Sequence, residues 1–194
     1  MSRILSIGIV SVLFIFMSTV AVASTTMQAS DLEKVEKKQI QSASERETME
    51  QVAVTLASYE FAAAKLVDLV NENRMRESID RQAGELINLS ESVLDWGRFR
   101  LAQCDAYLAT SLELKDQLQS ISHDALEKNY HHDGLLPQAP PECYHIKDLF
   151  VHPATVLVLT RDDPGLNAET RESIKAEITE VLAHTEIVRQ LVLY

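Results

Sequence analysis

Between Met49 and His132 the chain has no proline and only two glycines, Gly84 and Gly97. Glycine costs a helix interior roughly 1 kcal/mol and proline about 3. A stretch this long without proline is free to stay helical, and its apolar pattern agrees. Met49, Val52, Ala53, Leu56, Ala63, Leu66, Val67 and Val70 recur at steps of three and four. That spacing puts them on one helix face and predicts a first helix from Glu45 to Asn73. The polar run Asn71–Asp80 predicts a turn, with Ser78 and Asp80 as N-cap candidates. A second helix is expected from Arg81 to Lys128. Its stripe includes Leu86, Leu89, Val93, Trp96, Leu101, Cys104, Leu108, Leu112, Leu118, Ile121 and Ala125. Trp96 lies on that stripe and is expected to anchor the core.

The longest irregular segment follows, from His131 through Gly134, Pro137, Pro140 and Pro141 to Cys143. Tyr144–Thr160 is apolar nearly all round and rich in β-branched residues. A lone strand would leave its backbone groups unpaired, so helix is the better expectation. Pro153 then sits in the first turn of a helix starting near His152, or inside a longer one. Asp162-Asp163-Pro164-Gly165 is a turn signal, Asn167 is the expected N-cap of a last helix, and Glu169 lies in its first turn. Ile174, Ile178, Val181, Val188 and Leu191 form that helix's stripe. The expected fold is all-α: a four-helix-bundle-like domain over residues 45–194, with a long helical hairpin and one disulfide-tied loop.

The N-terminus reads as a targeting segment. Arg3 is followed by an uncharged apolar run, Ile4–Val22, and by Ala21-Val22-Ala23 in the A-x-A pattern. These features describe a signal peptide over residues 1–23, with a membrane anchor as the alternative. Residues 24–44, rich in Ser, Thr, Gln, Lys and Glu, are expected to form a flexible leader or a frayed helix start. The expected location is periplasmic or secreted, with no stable membrane insertion after cleavage. In such an oxidising compartment the only two cysteines, Cys104 and Cys143, are expected to pair. A crosslink between residues 39 apart is worth roughly 3–4 kcal/mol in the chain-entropy account. The formal net charge of -11 argues against nucleic acid and anionic membranes as partners.

Catalytic signatures are missing. There is no G-x-S-x-G, no Gly-rich phosphate loop and no H-E-x-x-H. Ser122-His123-Asp124 is a tripeptide whose side chains diverge on a helix. Without C-x-x-C-H, covalent haem is excluded. A b-type haem would need an axial pair such as His184 with Met49 or Met75. His131, His132, Asp133, Glu142, Cys143, His145 and Asp148 fall within 18 residues, and such groups can hold zinc or copper. His145, Asp148 and His152 share a helix face if that segment is helical from its start. The spacing matches no established metal motif, and no metal ligand, cofactor or catalytic residue is assigned from sequence. The functional expectation is a non-enzymatic exported bundle that binds a protein partner, of accessory, sensor, chaperone or inhibitor type. Two alternatives stand beside it: a metal-binding carrier or sensor using the His131–His145 loop, and an enzyme with an unrecognised site.

Overall fold

The structure is a computed structural model that describes residues 29–194, with side chains from Lys34 onward apart from Val35. The expected signal peptide and the first residues of the leader lie outside the described residues. The chain divides into two units, residues 1–40 and 41–194. In the first, the described residues are helical and their described side chains exposed. The second unit carries the core.

Six α-helices are found among the described residues, with no β-strand: α1 (Ala29–Asn71), α2 (Arg76–Arg100), α3 (Asp105–Leu112), α4 (His123–Leu126), α5 (Pro141–Asp162) and α6 (Ala168–Leu193). The all-α, disulfide-tied architecture therefore stands. Helix α1 begins at Ala29 rather than near Glu45. It ends where Asn73 takes a left-handed conformation, φ 54°, which Asn tolerates and which lets the chain reverse. Helix α2 starts at Arg76 without a side-chain cap, so Ser78 and Asp80 lie within it rather than before it.

The second expected helix, Arg81–Lys128, is not continuous. The chain leaves α2 at Leu101, and the 3-10 turn Ala102–Cys104 swings Cys104 against α5. There it bonds Cys143 with a Cα–Cα separation of 5.5 Å. After α3 and a second 3-10 turn, Glu113–Gln117, the guanidinium of Arg161 donates to the carbonyls of Leu118 (2.7 Å) and Ile121 (2.6 Å). Those contacts satisfy backbone groups that a longer helix would have paired internally. Ser122 caps α4, and a π-helical turn, Glu127–His131, continues it.

Helix α5 is the centre of the bundle, packed against α2, α3 and α6. It starts at Pro141, a position where the missing N–H costs nothing. Every residue from Ile146 to Val156 is buried, as expected for a helix that is apolar nearly all round. Pro153 sits inside it rather than in its first turn. Proline has no N–H for the carbonyl four residues earlier, that of Leu149. The hydroxyl of Tyr59, fully buried on α1, donates to that carbonyl at 2.8 Å. Burial and the nearby charge of Asp148 raise the Tyr59 pKa well above its ordinary value, so the hydroxyl keeps its proton. Gly97 on α2 lets α5 approach closely, since a Cβ there would meet Ile146 at 3.2 Å. Trp96 is buried as expected, and its indole donates to the Val192 carbonyl of α6 at 2.8 Å.

Candidate metal centre

Two helix faces and one turn assemble a cluster of imidazoles and carboxylates. His145, Asp148 and His152 occupy positions i, i+3 and i+7 of α5. Glu177, Glu180 and His184 repeat that spacing on α6. Residues three and four apart on a helix are surface neighbours, so each set forms a stripe. The short turn between α5 and α6 makes them antiparallel, so the stripes meet head to tail: His152 faces Glu177 and His145 faces His184. His131 joins from the π-helical turn. The four rings form a chain, with centroid separations of 4.9 Å for His131–His152, 6.1 Å for His152–His184 and 4.8 Å for His184–His145.

Within this chain two triads could each hold a metal ion: His131, His152 and Glu180, and His145, Asp148 and His184. In each triad one ligand atom per residue lies within 4.8 Å of the others. Bonds of about 2.0–2.2 Å at tetrahedral angles place ligand atoms about 3.4 Å apart, so small side-chain rotations would close either triad on an ion.

The surroundings orient the ligands. His131 donates from Nδ1 to Glu127 at 2.8 Å, and His152 donates from Nδ1 to Glu177 at 2.7 Å. In the neutral imidazole a carboxylate on Nδ1–H fixes the tautomer and leaves the Nε2 lone pair available to a metal. His131 is placed by Lys147, whose side chain is 2% exposed. Its ammonium donates to the carbonyls of Tyr130 (3.0 Å) and His131 (2.9 Å) and to Asp133 (3.0 Å). It also lies 3.3 Å from Asp148. Asp133 accepts from Tyr107 as well, at 2.6 Å. The turn beyond is too tight for a side chain, because a Cβ on Gly134 would sit 2.4 Å from the Lys128 carbonyl oxygen.

Four buried polar atoms in the cluster have no hydrogen-bond partner: His145 Nδ1, Asp148 Oδ1, His152 Nε2 and His184 Nδ1. His184 Nδ1 lies 3.1 Å from Asp148 Oδ2 without hydrogen-bond geometry. Asp148 Oδ1 and His184 Nδ1 are in ion-pair contact with Lys147 and Asp148, respectively. Leaving a buried polar group unpaired costs roughly 1–3 kcal/mol, so His145 Nδ1 and His152 Nε2 call for a physical reason. The two central imidazoles differ electrostatically. Burial lowers the pKa of His152, but the hydrogen bond and charge of Glu177, with the charges of Asp148 and Glu180, outweigh it and raise the pKa overall. Burial also lowers that of His184; His145 and His152 add to the effect, and Asp148 and Glu180 do not offset it. His184 thus favours the neutral form that binds metals.

Imidazole and carboxylate together suit first-row transition metals, and three protein ligands leave a position open for water or another molecule. Of the groups noted in the sequence, His131, His145, Asp148, His152 and His184 enter the cluster. His132 is exposed and stacks on the outside of His131 at 5.3 Å. Asp133 serves Lys147, Glu142 takes no part, and Cys143 is held in the disulfide. Met75, offered as a haem ligand with His184, is exposed. Glu127, Glu177 and Glu180 were not singled out. The signal for the last two was their three- and four-residue spacing ahead of His184. A cleft of about 420 Å³, lined by residues including Arg46, Met49, Trp96 and Phe99, shares no residue with the histidines. No protein family, curated protein or solved structure matches the chain.

Proposed function

We propose that the protein is an exported metal-binding helical bundle, a carrier or sensor that holds a first-row transition-metal dication among His131, His145, Asp148, His152, Glu180 and His184. The observation that carries this reading is the convergence of two ligand triads that include buried imidazole nitrogens without a hydrogen-bond partner. An ion in one triad would be bound by His152 Nε2, and an ion in the other by His145, Asp148 and His184. Export is supported by the signal-like N-terminus and by the Cys104–Cys143 disulfide. Among the described residues no helix is long and apolar enough to cross a membrane.

The test is calorimetric titration of metal-depleted protein with Zn²⁺ and Cu²⁺, beside the His152→Ala/His184→Ala double variant. Altering the outer partners of a metal ligand costs about 10–100-fold in affinity, so loss of two ligands should cost at least about 100-fold. Equal affinity in both proteins, or no binding of either ion, would overturn the reading.

A second reading, contact with a protein partner, is favoured by Val54 and Phe61. They are seven residues apart on α1 and are 60% and 74% exposed. A photo-crosslinker at position 61 should give one discrete adduct in cells if this is right, and none if it is wrong.

A further inference from the structure

We infer that the two triads act together as one dinuclear centre, taking two transition-metal dications that share a solvent-derived oxygen ligand. This deepens the metal-binding reading and rests on it.

Three observations lead here. First, the triads are interleaved rather than separate. Helix α5 gives His152 to one and Asp148 to the other, and α6 gives Glu180 to one and His184 to the other. In both helices the two ligands are one turn apart, and the His152 and His184 rings lie with centroids 6.1 Å apart. Two-metal sites hold ions about 3.5–4 Å apart with a shared ligand, and ligands one turn apart on both helices would place two ions side by side.

Second, each triad supplies three ligands where a tetrahedral dication takes four. One water or hydroxide between the ions completes both.

Third, each triad has a carboxylate of its own, Glu180 in one and Asp148 in the other, so each offers a dication an anionic ligand. Asp148 also lies 3.3 Å from Lys147, and Glu180 is exposed.

The experiment loads metal-depleted protein with Cu²⁺, counts ions by native mass spectrometry and records electron paramagnetic resonance on the same sample. The expected result is two ions per chain, with a spectrum much weaker than the total copper because the paired spins couple. His131→Gln/His152→Gln and His145→Gln/His184→Gln should each bind one ion and regain the full isolated Cu²⁺ signal, with circular dichroism showing that helix content is kept. One ion per wild-type chain, or two ions with full uncoupled signals, would overturn the dinuclear inference and leave metal binding intact. No bound copper would overturn both.

Discussion

Tyr59 and Lys147 show how single buried polar groups hold this core together. Tyr59 serves a carbonyl that Pro153 deprives of its helical donor. Tyr59→Phe should destabilise the protein by about 1–3 kcal/mol, measured by urea unfolding. Pro153→Ala restores a backbone N–H for Leu149, so in the double variant the cost of losing Tyr59 should shrink. Strict additivity would contradict the link between the two residues. Lys147 is nearly inaccessible, and its ammonium bridges two carbonyls and Asp133. Lys147→Met should cost roughly 3–5 kcal/mol, because the carboxylate and carbonyls it serves would lose their partner. A change within a few tenths of a kcal/mol would show that the turn carrying His131 is held by something else.

Among the elements, the start of α6 is secured by Asp163. Its carboxylate accepts from the Thr170 hydroxyl (2.7 Å) and the Asn167 backbone N–H (2.8 Å). These bonds hold its pKa below the ordinary carboxylate value. A depressed folded-state pKa stabilises fully above the unfolded pKa, and the benefit fades as pH falls through the folded one. The melting temperature of wild type should therefore exceed that of Asp163→Asn at neutral pH, and the gap should close in acid. A gap that is constant with pH would contradict this.

The same helix shows what periodicity can reveal. Asn167 is its N-cap as expected, and its side chain accepts from the N–H groups of Glu169 and Thr170. Caps, turns and apolar stripes are local, so the α6 start, the α1 face and the burial of Trp96 were legible. The break at Leu101 was not. It has no proline or glycine, and it is held by the remote bond of Cys104 to Cys143, as the later break at Leu118 and Ile121 is held by Arg161 from about forty residues away. Half of the candidate site was legible in the same sense. The His145, Asp148, His152 stripe follows from spacing alone. Its partner stripe gains meaning only once α6 is known to run antiparallel against it.

For the whole molecule, the disulfide and the histidine and carboxylate cluster are mechanically joined. Cys143 lies two residues before His145, at the start of the helix that contributes three of the ligands. Reducing the Cys104–Cys143 bond should lower stability by roughly 3–4 kcal/mol, seen as a fall in melting temperature. An unchanged melt after complete reduction would contradict that role. The central claim is that the histidine and carboxylate cluster is a metal site, and the most direct measurement is X-ray absorption at the zinc edge of zinc-loaded protein. The account predicts nitrogen and oxygen scatterers at about 2.0–2.2 Å, with the outer-shell signature of several imidazoles and no sulfur. A shell of oxygen alone, or one containing sulfur, would place the ion elsewhere and contradict it.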